Sequence, residues 1–306
     1  MDFSFSVNLM GNLLVMFAMI VLGYIAKPKK ESLEDISKLV INYGIPALIF
    51  SAFVLEFSID MLLSMQTVLL FAVGSVLVGY VISFIVIKIA KIDQKMKSEF
   101  LIASVYGSTG FIGIPINLAI FGREGALLAA VFDFGITFVI FSLGIFLLVG
   151  SKQGSITASL RNMINFPIIS FIVGFIVVLA NIPIPPLAMT GINMLGAMTP
   201  PLAMLFLGGM LSHINITKVQ FSIKAMAGLV LTKLILIPLV VIVFINLFDI
   251  TGIVAGVILL QAATPTMTLA SLLYKRYVGD ATFSTSAVFI TTLLSIITIP
   301  LIMLLL

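Results

Sequence analysis

Two short clusters of hydroxylated and small residues interrupt apolar stretches of the sequence, at 106–115 and at 261–267. Their hydroxyl, glycine and proline members are Ser108, Thr109, Gly110, Gly113, Pro115, Thr264, Pro265 and Thr266. Inside a membrane, an interrupted helix releases backbone groups that find no water and must be satisfied by protein, ion or ligand. Two such interruptions in matching places of a chain predict a binding site where they meet.

The backbone of each cluster favours two half-helices around an unwound stretch. Pro115 lacks an N–H and disfavours helix at Ile114 before it, and Pro265 acts in the same way in the second cluster. Half-helix N-termini carry partial positive charge and attract anions, whereas released carbonyl groups could hold a cation. We therefore expect an unwound crossing near mid-membrane, with Ser108 to Pro115 on one side and Thr264 to Thr266 on the other.

Two charged residues, Lys233 and Asp133, lie inside apolar stretches. An ionisable residue at membrane depth is costly and is a functional hypothesis by default. Lys233 could neutralise an anionic substrate or replace a coupling cation, and Asp133 could bind a proton or Na⁺. Both could instead be structural, paired with each other or with the backbone.

Two amides lie beside the interruptions. Asn117 follows Pro115 by two residues, and Gln261 precedes Pro265 by four, one helical turn away on the same face. We assign Asn117 to the substrate site and Gln261, with Asp133, to a coupling ion or proton; interhelical hydrogen bonding is the alternative for both amides. Further residues near other prolines could line the cavity from a second layer: Asn42, Tyr43, Pro46 and Thr199.

The composition excludes most other classes of protein. Hydrophobic residues make up 61% of the 306 residues and charged residues 9%, which is far from the composition of a soluble domain. The absence of cysteine and the single histidine exclude a disulfide framework, a thiolate metal site and a multi-histidine zinc site built from this chain alone. Signatures of soluble enzymes are missing as well, so we expect no enzyme, no metal and no cofactor.

Ten apolar stretches are each long enough to cross a membrane, which takes about 20 residues. They are 7–26, 34–55, 62–87, 99–121, 126–149, 163–181, 187–211, 222–247, 253–274 and 281–305. With the N-terminus outside, 14 of the 16 Lys and Arg residues fall in inner connections and Arg123 alone falls in an outer one. Because cytoplasmic connections are enriched in Lys and Arg, this bias predicts ten spans with both termini facing outward. The net charge of +4 thus reports orientation, and we expect no nucleic-acid partner.

The two halves of the chain carry prolines at matching positions in corresponding spans. Pro46 and Pro201 are 155 residues apart in spans two and seven, and Pro115 and Pro265 are 150 apart in spans four and nine. Five spans per repeat force the second repeat to insert upside down. We predict an all-α integral membrane protein with a 5+5 inverted repeat (7–149 and 163–305) in one membrane domain, 1–306, joined by a polar loop at 150–162.

Several motifs together resemble those of the auxin efflux carrier family, within the bile acid/arsenite/auxin-type transporter superfamily. They are Ser108-Thr-Gly-Phe-Ile-Gly-Ile-Pro115, Gly44-Ile-Pro-Ala-Leu-Ile-Phe50, and Leu260-Gln-Ala-Ala-Thr-Pro265 followed by Tyr277, Asp280 and Leu294-Ser-Ile-Ile-Thr-Ile-Pro300. The likeness covers essentially the whole chain. Ser108 stands where the family usually has Asn, which bears on the hydrogen bond to a substrate carboxylate.

The resemblance implies a two-layer fold of the elevator type. Spans 1, 2, 6 and 7 would form a scaffold that builds a homodimer, and spans 3–5 and 8–10 a transport domain in which broken helices 4 and 9 cross. It also implies organic anions as substrates. The long hydrophilic loop of many plant members is absent, which favours a short prokaryote-type carrier of a malate-like or malonate-like mono- or dicarboxylate in the plasma (inner) membrane.

The sequence is also compatible with other driving forces and other functions. The carrier could be driven by the substrate's own gradient, by H⁺ or by Na⁺. A cation/proton antiporter of similar fold, with Asp133 as the proton carrier, is the alternative within transport. A membrane receptor that binds a ligand and signals is a hypothesis from a different class.

Overall fold

The structure is a computed structural model that describes residues 3–144, 165–213, 222–269 and 281–306, together with residues 273, 274 and 278. The predicted loop at 150–162 and the motif residues Tyr277 and Asp280 lie outside the described residues. Within this part, regular structure is helical, apart from one isolated antiparallel β-bridge between Gly107 and Thr266.

The α-helices follow one another in the order expected from the apolar stretches. They are α1 (Phe3–Ala26), α2 (Lys30–Leu39), α3 (Ile45–Glu56), α4 (Ile59–Ile89), α5 (Lys97–Val105), α6 (Ile114–Val139), α7 (Phe166–Leu179), α8 (Pro186–Ala197), α9 (Thr199–Ser212), α10 (Ile223–Leu231), α11 (Ile237–Leu247), α12 (Gly252–Ala262) and α13 (Thr282–Met303).

Six helical stretches in the described residues have the length and composition to cross a membrane. They are Lys30–Glu56, Ile59–Ile89, Thr109–Gly144, Pro186–Ser212, Ile223–Leu247 and Thr282–Met303. Shorter apolar helices are Leu14–Ala26, Phe166–Leu179 and Gly252–Ala262. The architecture is therefore all-helical with several candidate spans, as predicted. The number ten, the inverted repeat and the orientation stay predictions.

A glycine divides the longest stretch at the boundary predicted between spans four and five. Gly122 in α6 has φ 68° and ψ −158°, which is not helical, although helix continues on both sides. Only glycine adopts such a conformation without steric cost. The 36 residues of Thr109–Gly144 are thus two helical segments joined by a turn at one residue.

Wide π turns interrupt the α-helices, and three of them end two residues before a proline. These turns are Val40–Gly44 before Pro46, Thr109–Gly113 before Pro115 and Thr232–Leu236 before Pro238. Proline lacks an N–H and clashes with the preceding turn of a regular helix. A π turn widens the helix locally, so it gives the proline ring room while the chain stays helical.

The chain forms two compact units. The first consists of Met1–Thr67, Gly110–Val131 and Ile164–Ile214. In it, α1 packs closely against α9 because Gly23 faces the backbone of Leu205 and Gly208 faces that of Ile20. A side chain at either glycine would overlap the facing backbone.

An aromatic cluster joins α3 and α7 within the first unit. The Phe53 ring is completely buried and meets the ring of Phe171 edge-on, with centroids 4.6 Å apart. Gly174 of α7 lies against the Phe53 side chain, so the two helices approach closely. His213, at the end of α9, is half-buried, and its Nε2 lies 2.5 Å from the carbonyl oxygen of Pro28.

The second unit consists of Val68–Thr109, Phe132–Met163 and Asn215–Leu306. Helix α12 lies in its core: Val257, Ile258, Leu259 and Leu260 have no solvent exposure. Helix α4 is tied to the end of α5 by paired hydroxyl groups. Tyr80 and Tyr106 share a hydrogen bond of 3.0 Å, and Ser83 and Ser104 share one of 2.8 Å.

Candidate functional site

The two predicted interruptions lie side by side in the second unit. Helix α5 ends at Val105, Tyr106 is extended, and α12 ends at Ala262. The backbone N–H of Ser108 donates to the carbonyl oxygen of Pro265 at 2.8 Å, and the N–H of Met267 donates to that of Tyr106 at 3.0 Å. These two bonds flank the bridge between Gly107 and Thr266 and satisfy backbone groups that the broken helices leave unpaired.

Buried threonines secure the second interruption. The Thr266 hydroxyl donates to the carbonyl oxygen of Ala103 at 2.9 Å, and its backbone N–H donates to Oγ1 of Thr291 at 3.0 Å. The Thr264 hydroxyl donates to the carbonyl oxygen of Gln261 at 2.7 Å. Both predicted threonine hydroxyls are thus engaged with backbone, and their role in this state is to shape the interruption.

Lys233 places a buried ammonium group between the ends of the two broken helices. It belongs to the π turn Thr232–Leu236 and is 2% exposed. Its Nζ lies 3.5 Å from the carbonyl oxygen of Val105 and 3.5 Å from that of Ala262. Those two residues are the last of α5 and α12. Among the described residues, no carboxylate lies within ion-pair distance of this ammonium.

Released carbonyl groups, which we expected could hold a cation, lie beside the Lys233 ammonium at the C-termini of two half-helices. The meeting of half-helix N-termini stays a prediction. Helix C-termini carry partial negative charge and favour a cation. The physical reason is direction: α5 and α12 both run toward the interruption, so their last carbonyl groups meet there.

Gly107 allows the close approach of Lys233. A Cβ added at Gly107 would lie 2.9 Å from Lys233 Nζ and would overlap Oγ1 of Thr264. Any side chain at this position would therefore displace Lys233 or Thr264.

Asp133 and Thr109 form a second polar pair. The Thr109 hydroxyl donates to Oδ1 of Asp133 at 2.5 Å, and Asp133 is half-buried while Thr109 is almost fully buried. Ser108, beside this pair in sequence, is 6% exposed. In the described residues, no group of three or more His, Cys, Asp or Glu residues could hold a metal ion.

The first interruption is shorter than predicted. Helical structure resumes with the π turn Thr109–Gly113 and continues as α6, so Gly110, Gly113 and Pro115 are helical. Pro115 is the second residue of α6, where the wider preceding turn removes the conflict that we expected at Ile114. The unwound residues are therefore Tyr106, Gly107 and Ser108.

Asn117 is the predicted site residue with the most distinctive setting in the first unit. It is completely buried, and its Nδ2 donates to the carbonyl oxygen of Gly113 at 2.8 Å. Its Oδ1 is buried and has no hydrogen-bond partner among the described residues. A buried amide oxygen of this kind costs free energy unless a donor or cation reaches it.

Four residues were predicted to line the cavity from a second layer, and the structure places one of them, Thr199, against the turn that precedes Pro46. Gly44 of the first π turn faces Thr199 of α9: a Cβ at Gly44 would lie 2.5 Å from Thr199 Oγ1. Thr199 and Pro46 are buried, Asn42 is half-buried, and Tyr43 is 58% exposed. Their assignment to a substrate cavity stays a prediction.

The sequence did not reveal several residues that the structure adds. Thr291 follows no motif, because threonine is common in apolar helices. The carbonyl groups of Ala103, Val105 and Ala262 carry no side-chain signal at all. Glu99, the first residue of predicted span four, was not singled out; it is 6% exposed, and its Oε1 accepts the Ser284 N–H of α13 at 2.8 Å.

Comparison with known proteins identifies the family. The model of the family described as membrane transport protein matches residues 8–158 and 154–303. An archaeal relative from Methanocaldococcus jannaschii is 25% identical over 303 residues, covering 95% of this chain and 97% of the relative. A second, from Methanothermobacter thermautotrophicus, is 27% identical over 296 residues, covering 94% and 95%. Both are named uncharacterized transporters. The chain therefore belongs to the membrane transport protein family, the family of auxin efflux carriers that its motifs resemble.

Proposed function

We propose that the protein is a secondary carrier of a small organic anion, a mono- or dicarboxylate of the malate or malonate type. The observation that carries the proposal is the buried Lys233 ammonium beside two paired interruptions, without a carboxylate partner among the described residues. A buried cation without a carboxylate partner makes its surroundings electropositive, and such a site favours an anion over a neutral or cationic solute.

The substrate carboxylate would bind beside the paired interruptions. Ser108 is the best donor because the hydroxyls of Thr264 and Thr266 already donate to backbone carbonyl groups. Lys233 supplies the positive charge, and Gly107 keeps the backbone close to it. We propose Thr109, Gly110, Gly113, Pro115 and Asn117 as further lining, and Asn42, Tyr43, Pro46 and Thr199 as lining from the scaffold layer.

The movement would be an alternating-access cycle of the elevator type. In this proposal spans 3–5 and 8–10 carry the substrate past a scaffold of spans 1, 2, 6 and 7 that pairs as a homodimer in the plasma membrane. Asp133 and Gln261 would serve a coupling ion or proton. The family membership and the interrupted helices support this cycle, because binding at discontinuous helices is typical of secondary transporters.

Flux measurements in liposomes test the carrier. Purified protein should exchange or accumulate labelled malonate or malate above empty liposomes, and Lys233→Ala should reduce that flux strongly. Lys224→Ala is the matched control, since Lys224 lies on α10 of the same span and is exposed. Equal flux with and without protein across a panel of carboxylates would contradict the proposal.

A cation/proton antiporter is the second candidate, and the Thr109–Asp133 pair is the observation that favours it. A half-buried carboxylate that accepts a hydrogen bond can exchange a proton for a cation as it changes exposure. An antiporter would change the internal pH of liposomes when Na⁺ is added without organic solute. Asp133→Asn would abolish that change, whereas Thr109→Val would keep the carboxylate and its response. Ligand binding without any flux would instead support a receptor.

A further inference from the structure

The position of Lys233 at two helix C-termini favours one of the roles that the sequence left open, the replacement of a coupling cation. We infer that the Lys233 ammonium is a tethered replacement for a coupling cation, held where an ion-coupled carrier would bind a monovalent metal ion. This inference rests on the proposed carrier function and deepens it, because it names what stands in for an ion at the crossing.

The contacts around Nζ are those of a cation site. Discontinuous helices of transporters coordinate cations with released carbonyl groups and with half-helix C-terminal ends. Here both carbonyl oxygens, of Val105 and Ala262, come from terminal residues of half-helices and lie 3.5 Å from Nζ. That separation is long for a hydrogen bond, so the interaction is mainly one between a charge and two helix ends.

The same geometry argues against direct binding of a substrate carboxylate to Nζ in this state. The carbonyl oxygens present partial negative charge, and Gly107 closes the space on a further side, since a Cβ there would lie 2.9 Å from Nζ. The ammonium thus neutralises the helix ends and supplies positive charge to the neighbouring substrate site. A bound Na⁺ would do the same in an ion-coupled carrier.

A tethered cation cannot dissociate, and this has a measurable consequence. The wild-type protein needs no monovalent cation at the crossing, so Na⁺ should not stabilise it. Lys233→Ala removes the ammonium and the side-chain carbons beyond Cβ. The space that they leave has the shape of a short alkylamine. A small amine should then enter and stabilise the variant by mass action, because it binds the folded state only.

The experiment measures thermal unfolding of purified protein in detergent at constant ionic strength. Lys233→Ala is compared in ethylammonium chloride, sodium chloride and choline chloride, choline being too large for the space. We expect ethylammonium to raise the unfolding midpoint of Lys233→Ala by several degrees over choline, with Na⁺ giving a smaller rise. For wild type, the unfolding midpoint should not differ among the three salts, and the same should hold for Lys224→Ala.

Two results would overturn the inference. One is a Lys233→Ala midpoint that does not differ between ethylammonium and choline. The other is a wild-type midpoint that rises in Na⁺ relative to choline, and this measurement needs no variant to fold. Lys233→Met is a further control, because its side chain fills the space and should block stabilisation by the amine.

The readout separates this inference from the carrier function. Unfolding midpoints require no transport, so amine rescue without carboxylate flux would leave the cation role standing and count against the carrier. Carboxylate flux that requires Na⁺ in the wild type would leave the carrier standing and overturn the tethered cation.

Discussion

Thr266 donates its backbone N–H to Oγ1 of Thr291 at 3.0 Å, so a side chain of α13 completes the hydrogen bonding of the interruption after α12. Both residues are fully buried. Thr291 Oγ1 also lies 2.6 Å from the carbonyl oxygen of Ala287, to which its hydroxyl donates. The Thr291 hydroxyl therefore accepts a hydrogen bond from the Thr266 N–H and donates one to the Ala287 carbonyl oxygen of its own helix.

Replacement of Thr291 by valine should destabilise the protein. The change keeps the shape of the side chain but leaves the buried Thr266 N–H without an acceptor, which costs about 1–3 kcal/mol. Thr292→Val is the matched control, because the Thr292 hydroxyl donates to the carbonyl oxygen of Val288 within its own helix. Thermal unfolding should show a lower midpoint for Thr291→Val than for Thr292→Val, and Thr291→Ser should restore most of the difference. Equal midpoints for both valine variants would contradict the role of Thr291.

Gly107→Ala should strongly reduce carboxylate flux, although it adds only one methyl group. The added methyl group would overlap Thr264 Oγ1 and lie 2.9 Å from Lys233 Nζ, so the paired interruptions must separate. Gly74→Ala on α4 is the control, since nothing lies within 4 Å of a Cβ there and the change should stabilise the helix by about 0.5–1 kcal/mol. The measurement is carboxylate flux in liposomes together with the unfolding midpoint. Normal flux in Gly107→Ala would show that the close approach is dispensable.

Glu99 should act as the N-terminal cap of α13. Helix α13 has Ala281 at its N-cap with no side-chain bond, and Glu99 of α5 accepts the Ser284 N–H in its place. Helix N-termini carry unpaired N–H groups and favour a negative charge. Glu99→Ala should therefore lower the free energy of unfolding by about 0.5–2 kcal/mol, the usual cost of losing an N-terminal cap.

Two variants calibrate that result. Glu99→Gln keeps an acceptor oxygen without the charge and should fall between wild type and Glu99→Ala in thermal unfolding. Glu56→Ala removes an exposed carboxylate at the end of α3 and should have almost no effect. A Glu99→Ala midpoint equal to that of Glu56→Ala would exclude the capping role.

Gly44 and Thr199 form a size-matched pair in the first unit, and a double variant tests it. A Cβ at Gly44 would lie 2.5 Å from Thr199 Oγ1 but 3.5 Å from its Cβ, which is ordinary contact. Gly44→Ala alone should destabilise the protein, and adding Thr199→Ala should recover stability because the conflicting oxygen is gone. The non-additive part of a double-mutant cycle measures the conflict. Additive effects would mean that the two residues do not oppose each other.

The positions of the interruptions could be predicted from the sequence, but their extent could not. Glycine, proline and threonine within apolar stretches indicated breaks at 106–115 and 261–267, and the structure has a break in each. The predicted unwinding up to Pro115 was wrong because a π turn absorbs the proline. Periodicity cannot reveal a π turn, which adds one residue to a helix without changing its composition.

The setting of Lys233 shows a second limit of sequence reasoning. Its depth in an apolar stretch marked it as functional, but its neighbours are carbonyl groups, which every residue has. Only the directions of α5 and α12 decide that C-termini meet at Nζ. The same limit hides Thr291 and Glu99, whose partners are 25 and 185 residues away.

The pairing between the two interruptions consists of main-chain bonds, from Ser108 to Pro265 and from Met267 to Tyr106. Such bonds do not depend on which side chain position 108 carries. The backbone pairing of the crossing can therefore persist when another side chain replaces that of Ser108. In the carrier that we propose, substrate preference can then change at this single position without any change in the backbone pairing.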